Sequence, residues 1–419
     1  MDPAPRPEVG YVALLRDNAS FRRLFLSRLV SLFGDWFNLL AALALLRAIG
    51  AESAGAFGWV LILKMLPSAL LAPVAGVVAD RVSRRGLMIG ADLVRAVIVA
   101  GMLLALWYPE PALIYALLGL QAAVSVFFEP ARSALLPDIV SPEELTAANA
   151  LGAATWSAML ALGSAAGGLF TATLGWQAAL VVDVGSYLLS AVLLLGLVEP
   201  DWERSKARGL LSGFRDLAEG IRYMAGRGAV WTLALVKSGW MLGAGAATLL
   251  LTLLGEQVFS GAVGEGILAV TVLYMARGLG TGSGPILARW ISSSDPPKME
   301  RLIGAGYITG GVFYLGVAVS PSLWVAAAMV TLAHLGGATC WVFSTIRLQQ
   351  LVPSRLRGRV FAAEQAPLTL ASAGVVAIYS GLSDRAGLPP RTLLAAMALS
   401  MSVPALAWTL RGRWLGWAR

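Results

Sequence analysis

Long apolar runs recur along almost the whole chain, and each run is bounded by charged residues, glycine or proline. The runs are long enough to cross about 30 Å of hydrocarbon as helices, and they lack the ten-residue alternation of membrane barrel strands. Because hydrocarbon offers the backbone no hydrogen-bond partner, a spanning segment must satisfy its own peptide groups as a helix. We therefore predict an all-α polytopic membrane protein with twelve transmembrane helices, at about Leu24–Ala48, Ala54–Ala79, Leu87–Trp107, Ala112–Phe128, Leu145–Thr173, Gln177–Val198, Ala229–Leu254, Gly264–Trp290, Leu302–Val319, Leu323–Phe343, Val360–Leu382 and Arg391–Leu410.

The composition supports lipid as the main solvent, because 58% of the residues are hydrophobic and only 13% are charged. A soluble domain carries about twice that charged fraction. The single Cys340 excludes an internal disulfide, and the single His334, without a cluster of Cys, His or carboxylates, gives no reason to expect a metal site. None of the four lysines follows a glycine, so the chain has no phosphate-binding loop of the Gly-Lys-Ser/Thr type. We expect no cofactor and no nucleotide hydrolysis, so that transport would draw its energy from a gradient.

The distribution of basic residues predicts the orientation in the membrane. An even number of spans puts both termini on one side, and the opposite side carries only Arg47, Arg385 and, at a helix edge, Arg391. Cytoplasmic loops are enriched in Lys and Arg, so we predict that both termini are cytoplasmic and that the net charge of +8 needs no nucleic-acid partner. The basic residues on the side of the termini are Arg22, Arg23, Arg81, Arg84, Arg85, Arg132, Arg289, Lys298, Arg301, Arg347, Arg355, Arg357, Arg359, Arg411 and Arg413.

A charged stretch, residues 199–228, divides the twelve spans into six and six. We predict a first six-helix bundle over residues 1–198 and a second over residues 229–419. The stretch between them is interpreted as a cytoplasmic linker with an amphipathic surface helix around Phe214–Met224.

The two halves resemble repeats of one another. The sequences after spans four and ten, which begin at Leu135 and Gln350, are similar, and Gly76–Arg81 can be aligned with Gly284–Arg289. Such pseudo-symmetry suits a carrier, because rocking one half against the other opens a central site to each side in turn.

The loop after the second span reads Gly-Val-Val-Ala-Asp-Arg-Val-Ser-Arg-Arg. It resembles the signature loop after the second transmembrane helix of the major facilitator superfamily, with Ser83 where that family usually has glycine. The resemblance implies the major facilitator fold and a switch between conformations that depends on this loop. The loop residues concerned are Gly76, Asp80, Arg81, Arg84 and Arg85.

Ionisable residues inside the spans are candidates for function, because a charge is expensive in hydrocarbon. Asp35 and Lys64 both fall near the middle of the membrane. They are interpreted as a pair whose separation on protonation of Asp35 would bias the conformation. The alternatives are a fixed structural ion pair, or an Asp35 that is hydrogen-bonded to Ser31 and Asn38.

Further charged residues lie deep in other spans. Asp92 and Arg95 are three residues apart and are expected to share a helix face and to satisfy one another. Lys237 and Arg277 have no acidic partner within their own spans, so they either pair across helices or leave a positive cavity. With four basic and two acidic side chains counted in the interior, the surplus points to an anionic or amphipathic solute.

The fifth span carries closely spaced glycines at Gly163, Gly167 and Gly168. The segment resembles the antiporter motif of exporters in this superfamily, Gly-Pro-x-x-Gly-Gly, with Ser164 in place of the proline. Such glycines allow helices to seal against one another, and a plain packing face of small residues is equally compatible with the pattern.

Several segments together resemble one branch of the superfamily, the bacterial exporters that include the enterobactin exporter and the macrolide efflux proteins. The resemblance implies that Asp80, Arg81 and Arg85, with Glu129 at the inner end of span four, form a charge network that locks the outward-open state. The segments are Ser31–Asp35, Ala79–Arg85, Ala91–Ala96, Pro130–Val140, Glu144–Ala150 and Leu356–Val360.

The resemblance implies a proton-coupled exporter, an antiporter of amphipathic small molecules such as drugs or siderophores. It would work as a monomer among membrane lipids in a prokaryotic inner membrane. A second resemblance, to bacterial lysophospholipid transporters, rests on the Phe-Gly-Asp segment of span one and on the segment Leu162–Gly168. Outside transport, the alternatives are a membrane receptor and an intramembrane enzyme, although the spans offer no convincing nucleophile and base at a common depth.

Overall fold

The computed structural model describes residues 10–199, 209, 212–263, 266–292 and 295–415. Part of the predicted linker, at 200–208 and 210–211, lies outside these residues, as do the side chains of Arg355 and Arg413. Within the described ranges the regular structure is entirely helical. The α-helices are α1 (Tyr11–Asp17), α2 (Ala19–Ala48), α3 (Ala54–Ala79), α4 (Arg84–Met102), α5 (Pro111–Ser125), α6 (Phe128–Ile139), α7 (Pro142–Leu195), α8 (Ser212–Ala225), α9 (Gly228–Ala234), α10 (Val236–Ala244), α11 (Ala247–Gln257), α12 (Gly266–Ser292), α13 (Pro296–Ala318), α14 (Leu323–Leu351), α15 (Ser354–Ala386), α16 (Pro390–Ser400) and α17 (Ser402–Leu415).

The helices account for the twelve predicted spans. Ten helical segments of the described chain are long and apolar enough to cross a membrane. One of them, Glu143–Leu195, supplies two passes, because α7 is interrupted at Gly175, whose φ of 83° side chains other than glycine rarely adopt. Helix α12, with 27 residues, is also long enough to cross. The predicted all-α polytopic fold is therefore confirmed.

Side-chain caps in the loops define where several of these helices begin. Ser53 and Ser322 accept hydrogen bonds from the first turns of α3 and α14, and Ser141 forms a capping box with Glu144 at the start of α7. Ser83, the departure from the glycine usual in the family, caps α4, where its hydroxyl accepts the Gly86 N–H at 2.9 Å. The serine therefore has a structural role in starting the third span.

The bundle has two ends. We call the end that carries α1 and the last residues of α17 the terminal face, and the other end the opposite face. At the opposite face Arg47 of α2 pairs with Glu256 of α11 at 2.5 Å. There Asp384 of α15 also accepts the backbone N–H groups of Ala54 and Gly55 at 2.9 and 2.7 Å, so it caps α3 from the other half of the chain. These contacts join the first six and the last six spans at the opposite face.

Helix α8 lies where the amphipathic linker helix is predicted, and it packs on both halves at the terminal face. Its Asp216 and Glu219 bind Arg359 of α15 at 3.0 and 2.7 Å. Its Gly213 approaches so closely that an added Cβ would lie 2.0 Å from the carbonyl oxygen of Pro73 in α3. The linker helix therefore bridges α3 and α15. The division into two repeated bundles stays a prediction.

Candidate functional site

Five charged side chains lie at mid-depth of the first six spans, and we call them the first-half charge cluster. They come from four helices, which places charges that are distant in sequence around one interior point. Charged groups buried in hydrocarbon persist only where partners or a function compensate them. The members are Asp35 of α2, Lys64 of α3, Asp92 and Arg95 of α4, and Asp183 of α7.

Asp92 and Arg95 form an ion pair, as their spacing predicts. Both side chains are almost fully buried, with exposed fractions of 0% and 2%. The hydroxyl of Ser190 donates to the second Asp92 oxygen at 2.6 Å, and the Arg95 guanidinium lies 4.3 Å from the ring centroid of Tyr187. With these partners the pair is compensated within the bundle.

Asp35 does not make the contacts that the sequence predicts. Its carboxylate accepts a hydrogen bond from the Tyr187 hydroxyl at 2.6 Å, and Gln121 donates to the same hydroxyl at 2.8 Å. Ser31, the expected alternative partner, has a buried hydroxyl with no hydrogen-bond partner among the described residues. Asp35 is therefore positioned by α7, because Tyr187 reaches it across the bundle.

Lys64 is also bound differently from the prediction. Its ammonium donates to the amide oxygen of Asn38 at 2.8 Å. No ion pair joins Lys64 to Asp35 in the described chain, so the predicted direct pair is wrong. The ammonium is still attracted by the carboxylates of Asp35 and Asp183 through space. The Asn38 amide therefore holds the Lys64 ammonium near both carboxylates, and the ammonium forms an ion pair with neither of them.

Asp183 is the member that sequence reasoning missed. Its side chain is fully buried, the Ser186 hydroxyl lies 3.4 Å from Oδ1, and the Asn38 amide also interacts with the carboxyl. Oδ2 has no hydrogen-bond partner among the described residues. The carboxyl lies against α2, where a Cβ added at Gly34 would be 2.6 Å from Oδ1. Asp183 could have been identified from the sequence, because it is an ionisable residue inside the apolar run Gln177–Val198.

The formal charges of the first-half charge cluster do not balance. Three carboxylates face two cations, which leaves one uncompensated negative charge when every group is ionised. An isolated charge is costly in a low-dielectric interior. One additional proton makes the cluster neutral, so its charge balance favours the binding of one proton or of one other small monovalent cation.

In the last six spans Lys237 pairs across helices. Its ammonium lies 3.0 Å from a carboxylate oxygen of Glu364 in α15, and both side chains are buried. Glu364 was not counted in the sequence analysis. With Asp183 and Glu364 included, four acidic side chains face the four basic ones, so the predicted surplus of positive charge is wrong.

Of the two mid-depth cations of the last six spans, Arg277 is the one without a carboxylate partner among the described residues. It donates to the Thr248 hydroxyl, and no carboxylate among the described residues pairs with it. Its Nε is buried and has no hydrogen-bond partner there either. Lys237 and Arg277 were expected either to pair across helices or to leave a positive cavity. Lys237 therefore pairs across helices, whereas Arg277 keeps an unpaired positive charge.

The loop after the second span does not form the predicted charge network. Arg84 pairs with Asp138, while Arg85 donates to the backbone carbonyls of Leu194 and Leu195 at the end of α7. Asp80 is exposed, and its carboxyl makes no hydrogen bond or ion pair with the described residues. The loop is therefore anchored to α6 and α7 of its own half, and the network predicted to join Asp80, Arg81 and Arg85 with Glu129 is absent from this conformation.

Glu129 has other partners. It pairs with Arg28 of α2 at 3.2 Å and with Arg132, one turn further along α6, at 2.6 Å. The three side chains line a cavity of about 240 Å³ at the terminal face. No other part of the described chain approaches Gly76 closely, because a Cβ added there would meet nothing within 4 Å. The role of these residues in switching stays a prediction.

Each of the three glycines of the fifth span lies in close contact with another helix. An added Cβ at Gly163 would lie 2.7 Å from the Trp36 ring, and one at Gly167 would lie 3.2 Å from the backbone nitrogen of Phe37. At Gly168 the Cβ would lie 1.6 Å from Thr271 Oγ1 of α12. The segment therefore packs α7 against α2 and against the second half of the chain.

Substituting Gly168 by alanine is expected to force α12 away from α7, because the new methyl group would overlap Thr271. We expect a clear fall in the melting temperature of the purified protein, since overpacking a tight contact costs about 1–3 kcal/mol. Gly185→Ala in the same helix is the matched control, because a Cβ there meets nothing within 4 Å. Equal melting temperatures for the two variants would contradict the packing role.

Comparisons with known proteins give consistent matches. A sequence model described as Major Facilitator Superfamily matches residues 24–365. The chain is 24% identical over 397 residues to the "Uncharacterized MFS-type transporter YfiS" of Bacillus subtilis (strain 168), covering 88% of this chain and 89% of that protein. It is 22% identical over 362 residues to the "Putative bacilysin exporter BacE" of the same strain, covering 85% and 86%.

A solved structure agrees on the fold. The structure of a bacterial homologue of the human lysosomal transporter Spinster matches with a TM-score of 0.71 at 15% sequence identity. The match covers 94% of this chain and 97% of that chain. At this identity the likeness concerns the fold alone.

Proposed function

The chain belongs to the major facilitator superfamily of transporters, and from that premise we propose that it is a proton-coupled exporter of amphipathic small molecules. In this proposal the first-half charge cluster binds the coupling proton, and the two halves alternate around a central substrate site. The protein lies in a prokaryotic inner membrane, works as a monomer and has both termini in the cytoplasm.

The observation that carries proton coupling is the charge imbalance of the first-half charge cluster. Asp35 and Asp183 are attracted to the same Lys64, and neither is paired with it. Adding a proton to either carboxyl makes the cluster neutral, and releasing it restores one net negative charge. The two protonation states therefore place different forces on α2, α3 and α7, which is what a proton needs to bias a two-state carrier.

The contacts between the halves support alternating access. Among the described side chains, the hydrogen bonds that join the first six spans directly to the last six lie at the opposite face or at mid-depth. With the termini in the cytoplasm, this conformation is closed toward the outside. Opening it requires the Arg47–Glu256 pair and the Asp384 cap on α3 to separate.

Export is favoured over uptake by one relative, the "Putative bacilysin exporter BacE" of Bacillus subtilis, whose name is that of an exporter. The resemblance to the enterobactin exporter and macrolide efflux branch remains part of the proposal. The second candidate, a lysophospholipid transporter, keeps its support from the Phe-Gly-Asp segment that ends at Asp35. A transporter of either kind would need the same alternation of the two halves.

Reconstitution tests the proposal. In proteoliposomes with an imposed proton gradient, we expect accumulation of at least one compound from a panel of drugs, siderophores and lysophospholipids, because the gradient drives exchange against the solute. Collapsing the gradient with a protonophore should remove the accumulation, and protein-free liposomes are the control. Transport that persists unchanged without a gradient would overturn coupling, and an absence of any flux would overturn the transport proposal.

A further inference from the structure

The mid-depth charges of the last six spans are unbalanced in the sense opposite to those of the first six. Lys237 and Glu364 neutralise one another at 3.0 Å. Arg277, near the middle of α12, then remains as one uncompensated positive charge in the described part of these spans. A guanidinium is always ionised, so this charge cannot be removed by loss of a proton.

The donors of Arg277 are largely unused. A guanidinium carries five N–H groups in a planar fork, and the described residues supply one acceptor, the Thr248 hydroxyl. Nε is buried without a partner, and the side chain as a whole is only half-buried. A donor fork of this kind matches the two oxygens of a carboxylate or phosphate group, which bind it with parallel hydrogen bonds.

Tyr274, Tyr314 and His334 lie near enough to this charge to interact with it electrostatically. Tyr274, one turn before Arg277 on α12, makes an edge-to-face contact with Trp36 of α2, with ring centroids 6.2 Å apart. On the other side, the Tyr314 hydroxyl and His334 Nε2 are 2.7 Å apart. The Trp36 contact shows that this part of α12 borders the first half of the chain, where a central substrate site would lie.

We propose that Arg277 binds the anionic group of the transported molecule, and that the half-buried Trp36 ring, which packs on the buried Tyr274, forms the wall for its apolar body. The ligand class is therefore an amphipathic organic anion with a carboxylate or phosphate group. The inference rests on the proposed transport function and specifies its substrate. The two halves then have complementary roles, because the first half binds a proton and the second half binds an anion.

The assignment explains why the site lacks an acidic partner. A purely structural cation at this depth would be expected to have a carboxylate, as Arg95 and Lys237 have. A resident carboxylate at Arg277 would compete with an anionic ligand for the same donors. Leaving the guanidinium unpaired keeps it available, at the expense of stability in the empty carrier.

Binding of two matched probes tests the proposal in lipid nanodiscs. Dansylglycine and dansylglycinamide share one aromatic body and differ in the carboxylate, and a dansyl aminomethylphosphonate separates carboxylate from phosphate recognition. We expect the wild type to bind at least one anionic probe about tenfold more tightly than the amide, a difference of about 1.4 kcal/mol. Arg277→Gln should remove this preference, and Arg277→Lys should retain part of it.

The matched control is Arg289→Gln, which removes an exposed positive charge from the same helix and should bind the probes like the wild type. Thermal unfolding gives a second readout. Because Arg277 is unpaired, Arg277→Gln should leave the melting temperature unchanged or raise it, whereas loss of a structural arginine would lower it.

The proposal is overturned if the wild type does not distinguish the anions from the amide, or if Arg277→Gln retains the distinction. A marked fall in the melting temperature of Arg277→Gln would likewise identify a structural role. These outcomes are separate from those of the transport assay. A protein that carries neutral solutes against a gradient without preferring anions would contradict the Arg277 assignment alone, and one that prefers anions without moving any solute would contradict the transport function.

Discussion

Asp35→Asn is expected to abolish gradient-driven transport while substrate counterflow continues. Asparagine is close to the protonated aspartate in shape and charge, so the first-half charge cluster would stay neutral throughout the cycle. Alternation survives in that state, but no proton is exchanged. We expect accumulation in proteoliposomes to fall to the level of protein-free liposomes, with exchange of labelled for unlabelled solute still measurable.

The structure makes this variant a clean test. Asp35 accepts a hydrogen bond from Tyr187 and has no ion pair with Lys64. Replacing it by asparagine therefore leaves no cation without a direct ion-pair partner that it had before. The oxygen of the asparagine can still accept from the Tyr187 hydroxyl, and we expect a stability loss no larger than about 1 kcal/mol. Asp17→Asn, at an exposed position outside the spans, is the matched control.

Asp183→Asn is expected to have the same transport phenotype, because it also removes the one excess negative charge. Asp92→Asn should differ, since it breaks the buried pair with Arg95 and lowers stability as well. Full gradient-driven transport by a stable Asp35→Asn protein would remove Asp35 from coupling. If Asp183→Asn alone abolished coupling, the exchangeable proton would belong to Asp183.

Glu364→Gln is expected to destabilise the protein strongly. It leaves the Lys237 ammonium buried without its counter-ion, and breaking a buried ion pair typically costs about 3–5 kcal/mol. The ring centroids of Trp341 and Phe361, 5.0 and 5.9 Å from the ammonium, offset part of that loss. The change is measured as the free energy of unfolding in detergent micelles. Adding Lys237→Met to the Glu364→Gln variant should restore most of the stability, because the double variant no longer contains the stranded charge.

The matched control is Glu219→Gln, which breaks an exposed ion pair with Arg359. The side chains of that pair are 47% and 29% exposed, against 5% and 9% for Glu364 and Lys237. Exposed pairs contribute about 0–1 kcal/mol, so the control should change stability little. Similar losses in Glu364→Gln and Glu219→Gln, or no rescue by Lys237→Met, would contradict the explanation that the loss comes from a stranded buried ammonium.

Most of the fold could be predicted from the sequence, because hydrocarbon allows a spanning chain one backbone solution. The boundary between the fifth and sixth spans is an instructive case. The sequence predicts two helices with a break near Gly175, and the structure interrupts the helix at that glycine, whose φ is 83°. The number of passes is therefore the same.

The candidate site was predicted less completely. Asp35, Lys64, Asp92 and Arg95 were found because ionisable residues stand out in apolar runs, and the same signal was overlooked at Asp183. Partner choice was a separate difficulty. The pairing of Asp92 with Arg95 follows from helix geometry within one span, whereas the contacts of Asp35 and Lys64 depend on which faces of different helices meet.

The amino-acid sequence by itself determined that this chain is a helical membrane protein with charged residues at the middle of its spans. Those properties follow from the local preference of each segment for lipid or water. Only the tertiary structure decided that Lys237 finds Glu364 and that Arg277 finds no carboxylate. Pairing across helices depends on their packing and rotation about their axes, and no single span contains that information.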